Sequence, residues 1–211
     1  MVTKAAKRIR RSPEASKLAI LEAAERRLIE DGPDGVRVQR IAADLGMTDA
    51  AVHYHFGNRE ALIDALMRFS AKRLVDDIGA AMETWDADRL DLHRLGAVFR
   101  KAYTERGVAR LVLSVLAGRK PRGAGMLRRL VEAVHEARER RAKARGQKPP
   151  PLADTQFIIV LLSGTHLLMP IAGEALLLSA DAAADKAGMQ QYLDWVAALL
   201  GARLGSDPIQ D

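Results

Sequence analysis

Apolar positions recur along this chain at helical spacing, and alternating strand patterns are lacking. Ile20, Leu21, Ala24, Leu28 and Ile29 make one stripe of a first helix. Ser12, Pro13 and Glu14 suit its cap, its first position and the positive end of its dipole. The turn residues DGPDG (31–35) end it. A second helix is predicted over Val38 to Leu45, stopped by Gly46 as a left-handed C-cap. A third follows at once, capped by Thr48, with Met47 and Val52 at the spacing of a hydrophobic staple. Gly57 breaks it, and Asn58 caps a fourth helix bearing Leu62, Ile63, Leu66, Met67, Phe69 and Leu74. Further amphipathic helices are expected near 89–105, 108–117, 122–146, 152–179 and 188–204, with RGQKPPP (145–151) as the clearest break.

Two helices joined by so short a turn must cross steeply. Ala42 is small where they approach, and Ile41, Leu45, Val52 and Phe56 are the expected shared core. This is the logic of a helix-turn-helix. At 100° per residue, Val52 and Phe56 face inward on the third helix, Ala50, His53 and Tyr54 face away, Asp49 and Ala51 flank them, and His55 lies near the core boundary. His53 and His55 therefore project about 200° apart, whereas a shared metal wants i, i+3 or i+4 spacing. A structural role for His55 stays open. The remaining outward face is one of small and hydrogen-bonding residues, suited to the major groove: Ala touches thymine methyls, and His and Tyr reach phosphates or base edges.

Charge sharpens this picture. The net charge is +6, but residues 1–11 hold five bases and no acid, and residues 118–148 hold 11 bases and three acids, on an otherwise acidic body. A basic arm directly upstream of the motif suits a polyanion; the second patch reads more readily as the solvated face of a helix. With no Cys, thiolate chemistry, disulfides and Cys-based metal sites are excluded. No G-x-S-x-G, phosphate loop or paired His/carboxylate set suggests an enzyme. Phe157 to Leu178 is interrupted by Ser163, Gly164, Thr165, His166, Pro170, Gly173 and Glu174, so no bilayer span is expected, and no signal peptide is visible. A cytoplasmic location fits best.

The segments ILEAAERRLIEDG and RIAADLGMTDAAVHYHFGNREALIDAL resemble the N-terminal DNA-binding domain of the tetracycline-repressor (TetR) family of transcriptional regulators. The resemblance covers about residues 14–66. It implies an all-α protein with a basic arm (1–12), a three-helix helix-turn-helix domain (13–60) and a helical effector-binding and dimerisation domain (61–211). It implies that Thr48, His53, His55 and Arg59 contact phosphates, that Asp49, Ala50, Ala51 and Tyr54 face base edges, and that Gln39 and Arg40 approach the backbone. Arg59, in the first turn of its helix, suits a phosphate on physical grounds as well. The chain departs from the family pattern at His53, at Asp49 and Ala50, and at Arg37, which stands where a Ser or Thr usually opens the second helix.

The same resemblance implies a homodimer through the last two helices, where the apolar 157–178 helix and the stripe Tyr192, Trp195, Val196, Leu199 and Leu200 are the natural surfaces. It implies palindromic double-stranded operator DNA and an unidentified small effector as partners, with no cofactor, metal or membrane. Phe99, Tyr103, Met126, Phe157, Thr165, His166 and Met169 are the candidate pocket residues, while His93 and His135 are expected on solvated faces. The implied function is a repressor released from its operator by a small, largely apolar ligand. The alternative is a DNA-binding regulator whose second half binds a protein through the basic 118–148 segment.

Overall fold

The computed structural model describes residues 12–83, 92–118 and 127–205; residues 1–11 of the basic arm and Met126 lie outside them. Every regular element among these residues is helical. The chain divides into two compact units between Leu66 and Met67, six residues beyond the expected boundary and inside a helix.

The first unit contains α1 (Pro13–Asp31), a 3-10 turn (Pro33–Gly35), α2 (Val38–Leu45), α3 (Asp49–Phe56) and the first turns of α4 (Arg59–Glu83). Ser12 caps α1 by accepting from the Ala15 amide at 3.1 Å. Thr48 caps α3 by accepting from the Ala51 amide at 3.2 Å, and Asn58 caps α4 by accepting from the Ala61 amide at 2.8 Å. Gly46 takes φ 60° and ψ 33°, a conformation that a side chain would strain, and its amide closes α2. Gly35 is required for a different reason. A Cβ there would sit 2.8 Å from the Arg27 carbonyl oxygen, so the turn lies directly against α1. Ile20, Ala23, Ala24, Leu28, Val36, Ile41, Ala42, Val52, Leu62 and Leu66 form the buried interior. Two expectations change. Ile29 is exposed, and Leu45 and Phe56 are only half-buried, because three short helices cannot enclose every apolar position.

The second unit holds the rest of α4, α5 (Leu92–Arg100), a π-turn (Lys101–Glu105), α6 (Val108–Gly118), α7 (Arg128–Ala144), α8 (Leu152–Ser179) and α9 (Lys186–Gly205). Its core gathers Leu74, Ile78, Leu95, Phe99, Leu130, Val134, Ile159 and Leu162. Pro170 lies inside α8, which continues past it. By length and composition α8 suffices to cross a bilayer, with a mean hydropathy of 1.6 over an 18-residue window, 44% of which is buried. Its polar residues Ser163, Thr165 and His166 are buried on the inward side. The outward side is apolar. Phe157, Val160, Leu161, Leu168 and Ile171 are all exposed at i, i+3, i+4, i+11 and i+14. The α9 stripe also splits: Val196 and Leu200 are buried, whereas Trp195 and Leu199 are exposed.

Candidate nucleic-acid interface

The turn from Gly46 to Thr48 launches α3 with its outer side in solvent. Thr48, Asp49, Ala50, His53 and Tyr54 are exposed, and Ala51 and His55 are half-buried. Val52 alone among the α3 residues is fully buried, and it anchors the helix. Tyr54 is 85% exposed, and its ring meets that of its neighbour His55 edge-on at 5.2 Å. The His53 Nδ1 donates to the Gly57 carbonyl oxygen across the end of α3, which turns Nε2 away from that contact.

Gln39 and Arg40 are exposed at the start of α2. Arg40 donates to the Asp31 carboxylate at 3.0 Å. Arg59 is placed less simply than a phosphate ligand. Its Nε donates to the Val36 carbonyl at 2.9 Å and its Nη2 to the Pro33 carbonyl at 2.8 Å, so it ties the start of α4 to the turn that delivers α2. Arg37 donates from Nε to the Asp34 carbonyl at 2.9 Å. Asp34, Arg37, Val38, Gln39, His53 and Arg59 line an open cleft of about 410 Å³ in which basic groups outnumber the single acid. The sequence reading missed Arg37 as a cleft residue; its signal was a cation where a small hydroxyl residue is usual.

A second tie fixes α2. Arg27 of α1 grips Asp44 with Nε at 2.8 Å and Nη2 at 2.5 Å. This hydrogen-bonded guanidinium holds the Asp44 carboxyl below its ordinary range. The pair spans 17 residues, so no local pattern announces it.

Of the expected pocket residues in the second unit, Phe99, Tyr103, Thr165, His166 and Met169 are buried. Phe99 stacks parallel to Tyr103 at 6.0 Å and tilts against His166 at 5.7 Å. Phe157 does not join them. It is 71% exposed, because nine helical steps put it about half a turn away from His166. His135 also departs from expectation. It is mostly buried, with Nδ1 3.0 Å from the Thr155 hydroxyl, which also accepts from Arg138 at 2.6 Å. His93 is exposed near Asp194.

The family of bacterial regulatory proteins described as tetR matches residues 20–66. The HTH-type transcriptional repressor AcnR of Corynebacterium efficiens is 36% identical over 66 residues, 31% of this chain and 35% of that protein. The match thus spans about a third of the curated relative's length. A TetR-family transcriptional regulator from Pectobacterium atrosepticum shares the fold with a TM-score of 0.64 at 18% identity, covering 94% of this chain and 96% of that one. A TetR variant from Acinetobacter baumannii, solved with minocycline, has a TM-score of 0.54 at 24% identity, covering 89% and 97%.

Proposed function

We propose that this chain, whose residues 20–66 match the tetR family of bacterial regulatory proteins, is a sequence-specific DNA-binding repressor that releases its operator when a small, largely apolar molecule binds the second unit. The observation that carries the DNA reading is Tyr54. A large aromatic side chain 85% exposed to water, on a helix otherwise lined by Ala50, Ala51, His53 and Asp49, is poor packing but apt for a base edge. Arg37, Gln39 and His53 around the adjacent cleft suit the phosphate backbone.

Two copies act together. The outward α8 stripe and Trp195 and Leu199 of α9 form an apolar surface of the kind that associating proteins cover. A second copy presents the same surface, so an isologous pairing buries both and sets two reading helices on a palindromic site. The buried aromatic and polar residues around His166 support the sensor reading. A ligand that prefers one placement of α4 shifts the equilibrium by its differential affinity alone.

The test is a gel shift with DNA flanking the chain's own gene, repeated across salt. Salt-sensitive binding at a discrete site is expected, and Tyr54→Ala is expected to change the preferred sequence. Binding that is absent at every salt concentration, or a Tyr54→Ala variant that weakens all sequences alike, overturns the reading.

A further inference from the structure

His53 is tied to the end of its own helix twice. The Gly57 amide donates to the His53 carbonyl at 2.7 Å, and the His53 Nδ1 donates to the Gly57 carbonyl oxygen. A carbonyl oxygen only accepts, so Nδ1 carries a proton. That leaves two forms for Nε2. In the uncharged ring it is a lone pair; in the cation it is a second donor. His53 is exposed, and it lines the open cleft with Arg37, Gln39 and Arg59.

A DNA phosphate likewise only accepts. It repels the lone pair of an uncharged ring and pairs with the second donor of a cationic one. The charged groups around the cleft are Asp34 of the 3-10 turn, Arg37 before α2 and Arg59 of α4, and Asp49 lies one turn earlier on α3. These two cations and two acids offset one another, so an arriving phosphate is the charge that distinguishes the bound cleft from the free one. The cations are also engaged. Arg59 holds the Val36 and Pro33 carbonyls with Nε and Nη2, and Arg37 holds the Asp34 carbonyl with Nε. His53 sits in the last turn of α3, where the helix dipole favours a cation.

We propose that His53 holds a backbone phosphate only as an imidazolium, so that each reading helix takes up one proton from solvent as it seats on DNA. This rests on the DNA-binding reading above and gives it a pH dependence. The proton stays on the ring in the complex and returns to water when the DNA leaves. Affinity therefore falls as pH rises through the range in which imidazole loses its charge.

The experiment titrates the full chain against the gene-flanking duplex of the gel shift. Fluorescence anisotropy gives the affinity from about pH 6.5 to 8.5 at one ionic strength, the span in which imidazole changes charge. Calorimetry in two buffers of unlike ionisation enthalpy counts the protons taken up. From about pH 7 to 8 the affinity is expected to fall at least about threefold per reading helix, with about tenfold the ceiling for one proton. His53→Gln, whose amide donates without changing charge, and His53→Tyr, whose hydroxyl does the same over this span, are expected to keep the fold by circular dichroism and to lose both the pH dependence and the proton uptake. A flat profile in the unaltered chain, or an unchanged profile in either folded variant, overturns the proton coupling and leaves DNA binding standing. Absence of binding at every pH sinks the DNA reading together with it.

Discussion

Arg59 separates two physical roles that the sequence cannot distinguish. As a phosphate ligand, it acts only when DNA is present. As a brace, it acts all the time, because its two donors hold the carbonyls of Val36 and Pro33 across 23 and 26 residues. Arg59→Ala removes both bonds. A net hydrogen bond is worth about 0.5–1.5 kcal/mol, and the exposure of the arginine puts this pair in the lower part of that range. The expected loss is about 1–2 kcal/mol, or roughly a 5- to 30-fold increase in local opening. Native-state hydrogen exchange reads this directly: protection of the Ile41 amide, which donates to the Arg37 carbonyl, should fall by that factor with no DNA present. Operator affinity should change by less than about twofold while the closed form predominates, and its salt slope should stay the same. A direct phosphate contact instead flattens the slope of log affinity against log salt by about 0.9. An exchange pattern unchanged by the substitution, together with a flattened salt slope, would refute the brace and leave Arg59 a phosphate ligand.

Gly35→Ala should destabilise the first unit by more than about 1 kcal/mol, since the added methyl meets the α1 backbone at Arg27; chemical denaturation checks this, and an unchanged midpoint would show that the turn yields freely. Phe157→Asp combined with Trp195→Asp places charge on the outward faces of α8 and α9, and sedimentation velocity should then report monomers in place of dimers. His166 is expected to make the fold acid-sensitive. Burial lowers its folded pKa, with the Leu162 carbonyl opposing, so the unfolded chain takes up the proton first as pH falls below the ordinary 6.5. Stability should therefore decline from about pH 6.5 downward until the folded pKa is passed. Thermal melts of His166→Gln should show a flatter acid limb, and an identical limb would remove His166 from the account.

What could be read from the chain was whatever a few neighbouring residues encode. The caps at Ser12, Thr48 and Asn58 and the stop at Gly46 each involve partners within about four positions. The helical period fixed which side of α3 carries Ala50, His53 and Tyr54, and it would have separated Phe157 from His166 had the angle been counted. Three matters were decided by the tertiary structure. Arg27 and Asp44, and Arg59 with Val36 and Pro33, meet only after the chain has folded back over 17 to 26 residues. His135 was drawn inward because Thr155 of another helix offered it a partner. An apolar stripe has no intrinsic inside: the two sides of α8 differ little in hydropathy, and packing alone turned Ser163 and His166 inward while leaving Phe157 and Leu168 to water. Hydrogen-bond caps are short-range and directional, so local sequence specifies them, whereas the hydrophobic effect rewards buried area without naming the surface that covers it.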